Sequence, residues 1–187
     1  MASAKVKVVD PVDALEQVAV LDGRRAGERV HLAVARLLEQ GVRKPSAFQV
    51  VSLARDMVVA PGLAVIYRQT AIQRLATCTA SYFRLFALDE TWTYIGAEIA
   101  AGRCRFDFLF EHEDGQVLAD ELKAGRVADR GGRRLFDEQV ARQLKAGAAK
   151  WGERFLGVRV LLLAAPRASF LARPDGERQP LEWGGER

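Results

Sequence analysis

The sequence predicts an α/β protein in which helices flank a mixed β-sheet. Three features support this prediction: apolar residues recur at helical spacing between residues 25 and 88, short segments rich in β-forming residues follow between 91 and 123, and a helical segment then precedes a nearly continuous apolar run at 157–165. A chain of 187 residues, of which 49% are hydrophobic, is long enough to bury a core and is expected to form one domain.

Three helices are predicted in the first half of the chain. The first spans about residues 25–40 and stops at Gly41, because glycine readily ends a helix. The second begins after Ser46, a residue type favoured at helix N-caps, and ends near residue 57. The third spans about 63–88 and is rich in Ala, Leu, Ile and Phe.

Strands are predicted after these helices. Residues 91–98 predict a first strand, and a turn over 100–102 connects it to a second. A helix is predicted over about 133–151, followed by the apolar strand 157–165, which is typical of a sheet buried on both faces. The tail is polar and is expected to hold a short helix near 168–172.

The second and third strands form a predicted hairpin that carries three charged residues. Residues 104–123, CRFDFLFEHEDGQVLADELK, suit a three-residue loop that ends at Gly115 in a left-handed conformation. In that register Asp107 lies directly opposite Glu121, and Lys123 shares their face of the sheet. A two-residue loop would put the acids on opposite faces, so the site depends on this register.

Charged residues inside apolar strands are costly unless they are paired or bind a metal. An aspartate followed by a Glu-x-Lys triplet, here Asp107 and Glu121-Leu122-Lys123, resembles the PD-(D/E)xK nuclease superfamily. The predicted elements over 63–165 are similar in order to the α-β-β-β-α-β core of that superfamily. The resemblance implies a restriction-endonuclease-like fold with additional N-terminal helices.

This interpretation divides the single domain into three parts. Residues 1–62 form an N-terminal helical extension that begins with a loose or partly stranded lead-in over 1–22. Residues 63–166 form the nuclease-like core, and 167–187 form a polar C-terminal tail.

Two close carboxylates repel each other unless a cation lies between them. Oxygen ligands at this spacing suit Mg²⁺ or Mn²⁺, so such an ion is expected between Asp107 and Glu121, with the Leu122 carbonyl as a third ligand. A bound ion would polarise a phosphoryl oxygen and lower the pKa of a bound water. Lys123 would orient the attacking water or stabilise charge in the transition state.

Members of the superfamily usually carry another acid on a helix before the strands. Glu28 is one candidate, because GRRAGERVHLAVARLLEQG is similar to the first helix of archaeal Holliday-junction resolvases, although the separation from Asp107 is far larger here. The alternative for Glu28 is an exposed place in the first helical turn. Glu98 is the rival candidate. If residues 101–102 form a two-residue loop, Glu98 lies opposite Arg105, and a cross-strand ion pair is the alternative to a role in the metal site.

The helix after the Glu-x-Lys strand is basic and carries two glutamines. Many nucleases of the superfamily place a glutamine there, so Gln139 and Gln143, one turn apart, are candidate catalytic residues, with a surface pair as the alternative. Residues 123–154 hold nine basic and four acidic side chains, which suits a polyphosphate partner, although a solvated face is the alternative. The predicted nucleic-acid contacts are Arg126, Arg130, Arg133, Arg134, Arg142, Lys145 and Lys150.

The function implied by the resemblance is metal-dependent hydrolysis of phosphodiester bonds in nucleic acid, with DNA favoured over RNA. A non-catalytic nucleic-acid-binding or assembly protein on the same fold is one alternative. A structural or partner-binding α/β protein, in which the charged residues form an ion cluster at the end of the sheet, is another. A homodimer or a partner protein is left open.

A cytoplasmic protein without membrane contact is expected. No run is long and apolar enough to cross a bilayer, and MASAKVKVVDPVDA lacks the apolar core of a signal peptide. Cys78 and Cys104 are expected to fill core space as reduced thiols, and with only His31 and His112 zinc chemistry has little support.

Overall fold

The computed structural model describes residues 24–58, 65–124 and 130–181, and the side chains of 27–58, 65–124 and 136–181; the predicted lead-in over 1–22 lies outside them. The described chain is an α/β structure, as predicted. Its helices and strands are α1 (Arg24–Glu39), α2 (Ala47–Met57), α3 (Val65–Phe86), β1 (Trp92–Ala101), β2 (Cys104–His112), β3 (Val117–Lys123), α4 (Arg130–Trp151), β4 (Phe155–Leu162), β5 (Phe170–Ala172) and β6 (Arg178–Pro180).

The helix ends follow from local sequence. Gly41 ends α1 with a φ of 70°, and its amide donates to the Leu38 carbonyl at 2.9 Å. Ser46 caps α2: its hydroxyl accepts the Gln49 amide, and the Gln49 side chain accepts the Ser46 amide in return. The predicted stop and the predicted cap are both confirmed.

The six strands form one mixed sheet in chain order, from β1 at one edge to β6 at the other. Strands β3 and β4 are parallel, and α4 provides the crossover that a parallel pair requires. All other neighbouring strands are antiparallel. Among the described residues, no helix is long and apolar enough to cross a bilayer.

The hairpin between β2 and β3 has the predicted register. Gly115 has a φ of 85°, and the His112 amide donates to the Gln116 carbonyl at 2.8 Å, which leaves a three-residue loop. Phe108 pairs with Asp120, so the next position of β2, Asp107, faces Glu121. The predicted register is therefore confirmed over Phe108–Glu111, and one position further along it brings Asp107 level with Glu121.

The register between β1 and β2 differs from the predicted one. Ala101 pairs with Cys104, so the two-residue loop is Gly102 and Arg103, not residues 101–102. The reason is local: Gly102 has a φ of 57°, and a turn of this kind needs glycine at its first central position. Because strand pairing continues along this register, Glu98 lies opposite Asp107 and not opposite Arg105.

The C-terminal tail also corrects the sequence prediction. The expected short helix near 168–172 is a three-residue turn of 3₁₀ helix over Pro166–Ala168, followed by strand β5. Strand β5 pairs with β4, and β6 pairs with β5. The tail therefore widens the sheet, because antiparallel addition satisfies the backbone groups of β4 that would otherwise form an edge.

Two apolar clusters cover the two faces of the sheet. Phe108 and Leu122 pack with helices α1–α3, whereas Leu109 and Ala119 pack with α4. Phe106 also packs with α4, so the alternation of side chains along β2 breaks at Asp107. Glu121 has the parity of Ala119 and faces α4. The free thiols of Cys78 and Cys104 are partly buried.

A buried ion pair joins the central strands to α3. Both carboxylate oxygens of Asp120 accept hydrogen bonds from Arg159 on β4 at 2.7 Å, and Tyr82 on α3 donates to Asp120 at 2.9 Å. Arg159 also donates to the Phe86 carbonyl at 2.9 Å, where α3 ends. The Asp120 side chain has no solvent exposure, so its charge loses its hydration on folding. These hydrogen bonds compensate for that loss.

Candidate metal centre

Three carboxylates lie side by side across neighbouring strands. Asp107 on β2 faces Glu121 on β3 and Glu98 on β1, because both registers bring these positions level. Acids in adjacent strands repel each other at this spacing, so their convergence needs compensating positive charge or hydrogen-bond donors.

Glu121 is compensated by three side chains. Lys123 donates to Glu121 Oε1 at 2.5 Å, and Gln139 donates to the same oxygen at 2.8 Å. Gln143 donates to Glu121 Oε2 at 2.6 Å and to the Arg105 carbonyl at 3.0 Å. Both glutamines that the sequence singled out therefore contact Glu121. They lie one helical turn apart on the same face of α4, so each reaches a different oxygen of the carboxylate.

Lys123 is more exposed than the carboxylate that it contacts. Its side chain is 30% exposed, whereas that of Glu121 is 2% exposed. The ammonium also lies 3.3 Å from Gln139 Oε1 and 5.5 Å from the centre of the Phe136 ring. The Lys123 ammonium is thus held by Glu121 and Gln139 while part of its side chain stays open to solvent.

Asp107 accepts one backbone hydrogen bond and has an altered acidity. The Leu122 amide donates to Asp107 Oδ2 at 2.7 Å. Burial, followed by the negative charge of Glu121, raises the pKa of Asp107 to about 8. Without a cation, this carboxyl group therefore keeps its proton at neutral pH, which is the behaviour expected of a carboxylate that a metal ion would stabilise.

His31 on α1 completes the arrangement, although no sequence pattern pointed to it as a site residue. Its Nε2 lies 2.8 Å from the Leu122 carbonyl, and its Nδ1 lies 3.6 Å from Asp107 Oδ1. A carbonyl accepts only, so Nε2 carries the proton and, in the neutral ring, Nδ1 keeps a free lone pair. The available signal was its place three residues before buried Val34, which puts it on the buried stripe of the helix.

His31, Glu98 and Asp107 form the candidate metal centre. One possible ligand atom from each of these side chains lies within 4.8 Å of the other two. Among the described residues, no other group of three or more His, Cys, Asp or Glu side chains meets this criterion. Glu98 has a φ of 54°, a left-handed conformation that costs a residue other than glycine roughly 1–3 kcal/mol and is often found at functional sites.

Several predicted site residues lie elsewhere or outside the described part. Glu28 is exposed on α1 and is not a member of the candidate metal centre; His31, one turn later, takes that place. The Leu122 carbonyl accepts a hydrogen bond from His31. Glu98 keeps an ion pair with Arg105 at 3.1 Å despite the corrected register, because the two side chains are diagonal neighbours.

The predicted nucleic-acid contacts are only partly described. Arg142, Lys145 and Lys150 are exposed on α4, and the Lys150 ammonium donates to the Ala100 carbonyl at 2.8 Å. Arg126 lies outside the described residues, as do the side chains of Arg130, Arg133 and Arg134.

Comparison of the sequence with protein-family models gives no match. Comparison with curated proteins also finds no match.

Proposed function

We propose that this protein is a metal-dependent nuclease of the PD-(D/E)xK superfamily. The observation that carries the proposal is the closeness of Asp107 to Glu121 and Lys123 at the end of the β2–β3 hairpin, with Gln139 and Gln143 of the next helix bonded to Glu121. The element order from α3 to β4 supports a restriction-endonuclease-like core, extended here by α1 and α2 and by β5 and β6.

The side chains of the candidate metal centre fit a divalent cation. Glu98 and Asp107 offer carboxylate oxygens, and the Nδ1 lone pair of His31 offers a nitrogen whose ring is oriented through Nε2 by a backbone carbonyl. Mg²⁺ prefers oxygen ligands alone, so the imidazole favours Mn²⁺ among the two ions expected from the sequence. Glu121 lies beside this set and lends it negative charge.

The chemistry proposed is hydrolysis of a phosphodiester bond. A bound Mn²⁺ or Mg²⁺ supplies polarisation of a phosphoryl oxygen and a bound water of lowered pKa. Lys123 presents its ammonium to the phosphate group and stabilises the charge that develops there, while Glu121 and Gln139 hold it in place. The exposed cations of α4, such as Arg142 and Lys145, supply a positive surface for a nucleic acid, with DNA as the favoured substrate.

The test is cleavage of a mixed panel of DNA and RNA substrates with Mn²⁺, Mg²⁺ or a chelator. Lys123→Met is expected to lower the single-turnover rate about 100-fold, because it removes a donor aimed at developing charge. Binding in Ca²⁺ should stay within about threefold of wild type, since many phosphate contacts share the affinity.

The control is Lys145→Met, which removes the same charge from the exposed face of α4. It should leave the rate at saturating substrate unchanged. An equal loss of rate in both variants would contradict the role of Lys123. Salt-dependent binding without cleavage in any metal would instead favour the non-catalytic nucleic-acid-binding protein.

His31→Ala is expected to weaken Mn²⁺ binding at least tenfold, because the variant loses the Nδ1 ligand, whose ring the Leu122 carbonyl holds in orientation. Calorimetric titration with Mn²⁺ measures this directly. His112→Ala is the matched control, since His112 pairs with Asp114 beside the hairpin loop. Equal Mn²⁺ affinity in wild type and His31→Ala would remove His31 from the metal centre.

A further inference from the structure

Arg105 on β2 pairs with an acid of the candidate metal centre. Its Nη1 donates to Glu98 Oε2 at 3.1 Å, and its side chain is 68% exposed. Glu98 is 52% exposed, whereas the other two members of the centre, Asp107 and His31, are only 14% and 24% exposed. A molecule in solution therefore has its freest access to the metal centre on the side where Arg105 lies.

The ion pair by itself does not account for the conformation of Glu98. A pair between exposed charges contributes little to folding, because solvent screens the attraction. The backbone of Glu98 has a φ of 54°, in a left-handed region that is costly for any residue other than glycine. A role at the metal centre, where the position of the carboxylate matters, explains why this conformation is kept.

The Arg105 guanidinium keeps donors for a second partner. Within the described part of the chain, its side chain donates to Glu98 alone and does so through one nitrogen. A guanidinium has further N–H donors in a planar fork that matches two oxygens of a phosphate. Glu98 has two oxygens, so one can hold Arg105 while the other holds an ion. Arg105 can therefore contact Glu98 and a phosphate at the same time.

The β1–β2 turn carries further positive charge and no acid. Between the two carboxylates of the metal centre the sequence reads IAAGRCRF, and Arg103 is exposed within this turn. On α4, Lys150 is exposed and its ammonium donates to the Ala100 carbonyl at 2.8 Å, which places it against the same turn. The positive charges of Arg103, Arg105 and Lys150 thus extend from the metal centre along the turn.

We propose that Arg105 binds a phosphate of the substrate strand next to the one that is cleaved, and that Arg103 and Lys150 attract the strand along the β1–β2 turn. The inference rests on the proposed nuclease function and adds the side of the metal centre on which the strand runs. On β2, Arg105 and Asp107 are two residues apart, about 7 Å. A stacked strand advances about 3.4 Å per nucleotide, so the bound phosphate lies within about two nucleotides of the scissile one.

The test replaces single phosphates of a DNA with neutral methylphosphonates. Equilibrium binding in Ca²⁺ is measured for a short DNA, in the single- or double-stranded form that wild type binds more tightly, and for versions in which one phosphate at a time is neutral. One position within about two nucleotides of the mapped cleavage site should cost wild type about tenfold in affinity, because a hydrogen bond between two charged groups is lost.

Arg105→Met should bind the unmodified DNA about tenfold more weakly than wild type, and its salt dependence should be flatter by about one in slope. The methylphosphonate at the sensitive position should have no further effect in this variant, because the contact is already absent. The backbone carbonyl of residue 105, which accepts from Gln143, is unchanged by the substitution. Any loss is therefore a loss of the guanidinium.

Arg154→Met is the matched control. Arg154 is also exposed and pairs with an acid of β2, Glu111, which is not a member of the metal centre. The control should bind each DNA as wild type does. Calorimetric titration with Mn²⁺ then separates a phosphate contact from a role in holding Glu98. Arg105→Met should bind Mn²⁺ at least as tightly as wild type, because a positive charge near the ion is removed.

Equal methylphosphonate penalties in wild type and Arg105→Met, in a protein that cuts DNA, would overturn the phosphate contact and leave the nuclease function intact. Weaker Mn²⁺ binding by Arg105→Met would also overturn it, since Arg105 would then act by positioning Glu98. Loss of the sensitive position in Arg105→Met alone would support the contact. The same result without cleavage in any metal would support it as well and contradict only the nuclease function.

Discussion

Asp107→Asn is expected to abolish metal-dependent cleavage and, at the same time, to stabilise the metal-free protein at alkaline pH. Burial and Glu121 raise the pKa of Asp107 from an ordinary 3.8 to about 8. Between these values the folded protein binds a proton that the unfolded chain releases, so stability falls as the pH rises through this window. Asparagine cannot ionise, and its side-chain oxygen can still accept the Leu122 amide.

Thermal unfolding in a chelator measures the stability part of this prediction. The wild-type melting temperature should fall more steeply than that of Asp107→Asn as the pH rises from about 4 to about 8. Added Mn²⁺ should raise the wild-type melting temperature and not that of the variant, because only the folded wild type binds the ion. Asp137→Asn, which removes an exposed partner of Arg178, is the control.

The cleavage and stability results together distinguish a metal centre from a purely structural role for Glu98, Asp107 and Glu121. A cleavage rate within about tenfold of wild type would contradict the role of Asp107 in the metal centre. If the melting temperatures of wild type and Asp107→Asn change with pH in the same way, folding does not raise the pKa of Asp107. Stabilisation without any effect of Mn²⁺ on wild type would favour a purely structural ion cluster.

Asp120→Asn is expected to destabilise the protein by about 3–5 kcal/mol, the usual cost of removing one partner of a buried ion pair. The variant leaves Arg159 buried beside a neutral side chain and weakens the anchor between β3, β4 and α3. Urea unfolding measures the change in the free energy of unfolding. The exposed pair between Glu111 and Arg154 gives the matched control, because Glu111→Gln should cost about 1 kcal/mol or less.

A double variant, Asp120→Leu with Arg159→Met, tests the same pair in a second way. It removes both charges, so it should be more stable than Asp120→Asn. Equal losses for Asp120→Asn and Glu111→Gln would show that the buried network contributes no more than a surface pair. Comparison of cleavage rates under conditions where each variant is folded then tests whether the anchor also holds the neighbouring Glu121 in position.

Short-range geometry is what the sequence alone determined. The loop over 113–115 fixed the β2–β3 register, because the loop length and one left-handed glycine decide which residues face each other. From that register followed the opposition of Asp107 and Glu121. The ends of α1 and α2 followed from Gly41 and Ser46 for the same reason: a cap acts within one helical turn.

A sequence pattern failed where two local solutions differ little. Loops at 101–102 and 102–103 are both short and both include Gly102, and only the position of its positive φ decides between them. That choice moves Glu98 from a place opposite Arg105 to one opposite Asp107. Strand β5 was missed because three residues are too few to show a period, and its pairing with β4 creates it.

Contacts between distant segments were decided only by the tertiary structure. His31 reaches Asp107 because α1 packs across the sheet, and Asp120 meets Arg159 because α4 returns the chain in parallel. Neither pair can be recognised from the spacing of its residues in the sequence. The packing of apolar faces decides where helices cross strands, and that crossing decides which polar side chains meet. The sequence thus specified the carboxylates and lysine of one hairpin, the turn at Gly102 brought Glu98 beside them, and long-range packing supplied the histidine and the buried ion pair.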